Sequence, residues 1–373
     1  MLESGYADEL VRLGRAEGLD AVGVAPAAPF DRARGELERR KAAGLHGDMA
    51  FTFKNPARST DPGRSVRGAR AIVVGARTYA MVPPSTPVQH PGRVARYAWV
   101  DHYAPLRAAL GAVARRLRAD GWKSVVLADD NSMVDREAAW LAGLGWYGKN
   151  ANLLLPGRGS WYVLGGVVTN APLATATRPV GDGCGRCRRC IDDCPTEAIV
   201  APGVVDARRC LAWLVQAPGI FPAEHRVALA DRIYGCDDCQ EVCPPNRGVE
   251  AAEPAPASAT ATVDLVELLE MSDRELLDRY GRWYLADRDP DQLRRNALIA
   301  LGNSGGGADA DIERVVRAAL TCGHPLLRAH AVWAAARLGR TDLLDAVNDD
   351  PDPRVREELS RVPTVPVSAA ARV

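Results

Sequence analysis

Lysine is nearly missing from this 373-residue chain: only four of its 47 basic Lys+Arg residues are lysine, at positions 41, 54, 123 and 149. That is a compositional bias, and no function follows from it. Net charge is zero, so no global field draws the molecule to nucleic acid or membrane, and any such attraction must come from local patches. No stretch of about 18 apolar residues occurs, which excludes a membrane-spanning helix. The N-terminal "MLESGYADELVRLG" lacks the basic start and apolar run of a secretory signal. A cytoplasmic location is therefore expected, where clustered cysteines hold metal or do redox chemistry more often than they form disulfides. There is no P-loop and no G-x-G-x-x-G after a strand. "GLGWYG" follows a helical stretch, and its glycines read as a cap and turn. The six histidines are scattered and outline no metal site.

What is present divides along the chain. Helical periodicity over 7–17, in "DRARGELERRKAAG" and over 104–119 alternates with the strand-like runs "DAVGVAP", "ARAIVVGARTY", "KSVVLADD" and "GSWYVLGGVVTN". The alternation predicts an α/β domain over 1–175. Eight of the nine cysteines follow within 176–247, the second domain. A Pro/Ala/Thr-rich linker opens a connection over 248–290. Then "RRNALIALGNSG" and "RAHAVWAAARLG" share an Arg-x-x-Ala-x-x-Ala frame, with Arg294 matching Arg328. These predict HEAT-like helical repeats over 291–362. The fold class expected is thus a multidomain α+β or α/β chain.

The cysteines carry the chemistry. Zinc takes four ligands, typically from two separated Cys-x-x-Cys pairs. Here the run is Cys184-x-x-Cys187-x-x-Cys190-x-x-x-Cys194-Pro195, mirrored incompletely by Cys236-x-x-Cys239-x-x-x-Cys243-Pro244. Three thiolates at this spacing wrap one cubane, and the fourth, before proline, serves a second one. The ligand count closes if Cys210 fills the gap. One [4Fe–4S] cluster takes Cys184, Cys187, Cys190 and Cys243; the other takes Cys194, Cys210, Cys236 and Cys239. Cys322 is left over and reads as a small core residue. From chemistry alone the chain is an iron–sulfur reductase with an unidentified second cofactor.

The segments "ARSTDP", "VARYA", "DREAAWLAGLGWYGKN", "CGRCRRCIDDCPTEAIV", "DARRCLAWL", "RIYGCDDCQEVCPPNR" and "RRNALIALGN" together resemble the epoxyqueuosine reductase family over nearly the whole length. The resemblance implies reduction of epoxyqueuosine to queuosine at the wobble position of tRNA, with two [4Fe–4S] clusters feeding base-off cobalamin bound to the N-terminal domain. The sequence lacks the D-x-H-x-x-G motif that would offer cobalamin a histidine, in keeping with that implication. It also implies that Asp129, at the exit of a strand, is the proton donor, and that Arg58, Ala95, Leu153, Leu155, Leu164 and Asp237 contact the corrin. Implied partners are tRNA and an external electron donor such as flavodoxin or ferredoxin; a monomer without membrane contact is expected.

Arg282, Arg294 and Arg295 are the expected phosphate contacts, because they flank a helix start. The chain departs from the family at Asp101-His102-Tyr103, where Asp-Tyr-His is common, at "DDNSMVDR", and in the acid-rich "YLADRDPDQL". Two other readings compete: a cobalamin-dependent reductase of a different epoxide or halide, and a ferredoxin-like electron carrier.

Overall fold

The computed structural model describes residues 2–84, 87–176, 178–248 and 253–362. The chain divides into two compact units, each assembled from separate stretches. The first comprises 1–84, 100–210 and 237–259; the second comprises 85–99, 211–236 and 260–373.

The first unit is built on a four-stranded sheet in the order Ala21–Pro26, Ala71–Thr78, Tyr162–Thr169, Ser124–Ala128. Every pairing in it is antiparallel. This corrects the expectation of an α/β sheet, because alternation of strands and helices along the sequence does not fix strand direction. The two central strands are apolar nearly throughout since both faces are covered. On one face Ile72, Val74, Ala76, Leu164 and Val168 pack with Ala138 and Ala139 of the helix Asp135–Leu141. On the other lies the helix Tyr103–Ala119. Gly75 and Gly165 are paired across the two central strands. A Cβ on Gly75 would lie 3.2 Å from Leu110 of that helix, and one on Gly165 would lie 2.9 Å from it. Two side-chain-free positions side by side let the helix approach closely.

In the second unit a three-stranded sheet places Pro91–Val94 between Arg232–Tyr234, parallel to it, and Thr262–Asp264, antiparallel. The stretch predicted as linker thus ends in a strand. The helices Asp291–Asn303, Ala310–Leu320, Pro325–Arg337 and Pro353–Arg361 follow. The shared Arg frame has a shared structural use. Arg294 binds Asp291 and the Met271 carbonyl, and Arg328 binds Asp350 and the Cys322 carbonyl. Arg294 ties its helix back to Met271, and Arg328 ties its helix to Cys322 before it and to Asp350 after it. No described helix is long and apolar enough to cross a membrane.

Candidate functional site

The first unit brings four cysteines to one cavity. Cys184, Cys187, Cys190 and Cys243 line it together with Gly148, Lys149, Asn150, Leu154, Arg189 and Pro244. The short helix Arg189–Asp192 and the turn closed by Cys187 N–H on the Cys184 carbonyl (3.0 Å) present the first three sulfurs. Lys149, one of the four lysines, donates to the carbonyls of Gly185 (2.7 Å) and Cys187 (2.8 Å) and so clamps the cysteine loop. Burial and the thiols of Cys190, Cys184 and Cys187 push Cys243 up to about 11. Burial first, then Cys184 and Cys187, also raise Cys190. Four sulfurs so close are thiolates only when a cationic centre offsets their mutual repulsion, and the irons of a cluster supply that charge. The residues therefore fit a [4Fe–4S] cluster.

Of the other four cysteines, Cys194, Cys210 and Cys239 belong to the first unit, and Cys236 ends a stretch of the second. Cys194 Sγ accepts the Ala198 N–H at 3.3 Å, the kind of donor that stabilises a ligating thiolate. Cys322 is half-buried and donates to the His324 carbonyl, so it is a turn residue and not the core residue expected.

A buried polar network seats the second cysteine motif against one end of the two central strands. The Gln240 Oε1 accepts from the Tyr79 hydroxyl (3.1 Å) and the Ser160 hydroxyl (2.9 Å), and its Nε2 donates to Asp237 (3.0 Å). Asn246 accepts the Ser160 N–H and donates to the Gln240 carbonyl. Asn150 donates to the Cys239 carbonyl. Asp237, expected at the corrin, is buried, with one carboxylate oxygen on Gln240. Gln240, Asn246, Asn150 and Ser160 were missed from sequence. Their only signal was their place inside the cysteine and Gly-Ser segments.

Asp129 follows the strand Ser124–Ala128 directly, but it is not extended: φ is +56°. Left-handed backbone is uncommon outside glycine, and aspartate is among the residues that tolerate it best. Its side chain is exposed. Protein crowding around the carboxyl still raises its pKa, with Asp101 and Asp130 adding and Arg107 opposing. The raised tyrosine pKa of Tyr103 draws on burial first and then on Asp129 and Asp135, which places these three groups in one neighbourhood.

The loop is pinned from the side. Ser132 Oγ accepts from Arg58 (3.2 Å), and Val134 N–H donates to the Ser59 carbonyl (2.9 Å). Asp130 folds back to accept the Ser132 N–H (2.7 Å). Neither Asp129 nor Asp130 caps the next helix, which starts at Asp135. That helix is anchored by buried Glu137, held by Arg32 and the Tyr147 hydroxyl.

The remaining expected corrin contacts are dispersed. Leu153, Leu155 and Leu164 point into the core cluster beneath the helix Asp135–Leu141. Leu155 also exchanges backbone hydrogen bonds with Gly159. Ala95 lies in the second unit, its N–H on the Tyr234 carbonyl.

The expected phosphate contacts need correction. Arg295 is 1% exposed, and its guanidinium is consumed by the carbonyls of Leu214, Val215, Ala217 and Gly219. It is a clamp inside the second unit, with burial lowering its pKa to about 9. Arg294 is mostly buried against Asp291 and Asp273. Arg282 is exposed and donates to the Trp99 carbonyl (2.9 Å).

Comparison with known proteins adds identity to this geometry. Residues 183–246 match the family model described as a 4Fe-4S double cluster binding domain. A crystal structure of epoxyqueuosine reductase with an epoxyqueuosine-modified tRNA-Tyr stem loop is 28% identical. It superposes with a TM-score of 0.87 and covers 95% of this chain and 97% of that one. The epoxyqueuosine reductase of Bacillus subtilis, solved with its catalytic aspartate loop swung out of the active site, is 28% identical with a TM-score of 0.86 and the same coverage. The epoxyqueuosine reductase of Bacillus anthracis is 31% identical over 372 residues, 95% of each chain. With the cysteine layout and a match over 95% of that relative's length, the chain belongs to the epoxyqueuosine reductase family.

Proposed function

We propose that this protein reduces epoxyqueuosine to queuosine at the wobble position of tRNA. Electrons arrive from an external donor such as flavodoxin or ferredoxin and pass through two [4Fe–4S] clusters to base-off cobalamin. The carrying observation is that a four-cysteine cavity and the strained, exposed Asp129 loop belong to one compact unit of a chain in this family. The first cluster rests on Cys184, Cys187, Cys190 and Cys243, and the second on Cys194, Cys210, Cys236 and Cys239.

Turning an epoxide into an alkene takes two electrons and two protons and releases the oxygen as water. Cobalamin, when bound, supplies a reductant strong enough for the carbon–oxygen bonds. The donor set around Asp129 fits such a group, since Arg58 and Ser132 offer polar contacts for the amide-bearing rim of a corrin. What the chain itself does is hold a proton. The carboxyl of Asp129 stays protonated further towards neutrality than an ordinary aspartate, because crowding disfavours its charged form. It faces solvent, where a nucleotide can reach it. The loop that carries it hangs on Arg58 and Ser59, so the acid is positioned by two hydrogen bonds and not by a strand. The swung-out aspartate loop of the Bacillus subtilis enzyme supports such a movable acid. Of the three arginines, Arg282 is the one we retain as a phosphate contact.

The test is anaerobic reconstitution followed by single turnover on an epoxyqueuosine-modified stem loop, with the nucleoside product read by mass spectrometry. Queuosine formation by protein carrying about eight irons and a corrin without an axial protein nitrogen supports the reading. A fully loaded protein that leaves the stem loop unchanged but reduces a small epoxide overturns it.

A further inference from the structure

Trp146 is the one indole among the described residues whose N–H is buried without an acceptor. The ring is 7% exposed. A buried donor left unsatisfied costs about 1–3 kcal/mol, and native interiors hold few of them. The position of this one is informative. Trp146 and Tyr147 form a strand paired with Leu153–Leu154. The turn that follows, Gly148 to Asn150, and Leu154 make one wall of the four-cysteine cavity.

The opposite approach is fixed by Gly183, the residue before Cys184. A Cβ there would lie 2.5 Å from the Trp146 Cζ2 and 2.7 Å from Cε2, the carbon bonded to Nε1. Only a glycine lets the backbone press against that edge of the indole. The orphan N–H therefore sits beside the stretch of chain that delivers the Cys184 sulfur.

We propose that Trp146 Nε1–H donates a hydrogen bond to sulfur of the first cluster, the Cys184 thiolate or the sulfide next to it, and so raises that cluster's reduction potential. The inference rests on the cluster assignment given above. Reduction adds one electron to the cluster and moves no proton. A donor aimed at sulfur favours the more negative, reduced state, and hydrogen bonds to sulfur are among the levers that set such potentials. Trp146 is thus a tuning residue that acts on electron entry and does not touch substrate.

The experiment is an EPR-monitored redox titration of the reconstituted, full-length protein. Wild type is compared with Trp146→Phe and with a variant carrying benzothienylalanine at 146, which keeps the ring shape but replaces N–H by sulfur. The first cluster's signal is assigned by its loss in Cys243→Ala. In both Trp146 variants the reduced-to-oxidised ratio of that cluster at fixed potential should fall about fivefold, the effect of a hydrogen bond of ordinary strength. The second cluster should not move, and iron content should stay at the wild-type value. An exchangeable proton coupled to the reduced first cluster, seen on transfer to deuterated water, should vanish in the isostere. Unchanged potentials with iron retained overturn the proposal, as do equal shifts of both clusters, which report a global change. Wild-type protein that binds far fewer than about eight irons instead overturns the cluster assignment itself, before the indole is in question.

Discussion

Replacing Asp129 by asparagine tests the proton-donor reading with little structural disturbance. The residue sits at φ +56°, a conformation that asparagine adopts as readily as aspartate, whereas alanine would add strain of roughly 1–2 kcal/mol. No described hydrogen bond holds the carboxyl, so Asn removes the acid and leaves the Arg58–Ser132 and Ser59–Val134 supports intact. General acid catalysis is worth about 10²–10⁴-fold, or about 2.7–5.5 kcal/mol of barrier. Single-turnover reduction of the epoxyqueuosine stem loop should therefore slow at least ~100-fold, with iron and corrin content unchanged. The pH profile gives a second readout. Crowding raises the Asp129 pKa, so the wild-type rate should hold at low pH and fall as pH rises through that shifted value. Asp129→Asn should lose this limb. Asp130→Asn should do far less, because Asp130 turns back on Ser132 to close its own loop. A rate for Asp129→Asn near wild type, with chemistry limiting, or an unchanged pH profile, would show that another group gives the proton.

Cys243→Ala should halve the iron content while Cys322→Ala leaves it unchanged, since Cys243 lines the cavity and Cys322 caps a turn; iron analysis after reconstitution decides. Glu358→Ala strips the bidentate partner from Arg226, whose side chain is 0% exposed, at 2.7 and 2.8 Å. Leaving that charge buried should cost about 3–5 kcal/mol in denaturant unfolding of the second unit, and a loss under 1 kcal/mol would contradict the assigned burial. Arg328 holds the Asp350 carboxyl below its ordinary value. Because the folded-state pKa is the lower one, this stabilisation is present above the unfolded value of about 3.9 and lost as pH falls through the folded value. Unfolding measured against pH should show that acid-side loss in wild type and not in Asp350→Asn.

What the sequence disclosed and what it withheld follow from the range of the forces involved. Cysteine spacing is local, because one short loop must deliver three sulfurs to one cubane, and so Cys184, Cys187 and Cys190 were legible without a structure. Helix 103–119 and the central strands were equally legible, since periodic burial is written residue by residue. Strand direction is different. The strands 71–78 and 162–169 read as buried runs whichever way they pair, and their antiparallel register is decided across some ninety intervening residues. Arg295 shows the same limit on a single side chain. An arginine at a helix start looks like a phosphate ligand until four carbonyls from residues 214–219 fold over it. A guanidinium has five donors, and in the folded chain these carbonyls take them. Asp129 lies between these cases. Its place at the exit of a strand was legible, and the residue does follow the strand directly. The burial that raises its pKa, with Asp101 adding and Arg107 opposing, comes from residues more than twenty positions away in the chain. Tertiary crowding raises the pKa of this one, and that shift shows only once the helix at 103 and the loop at 129 are seen to meet.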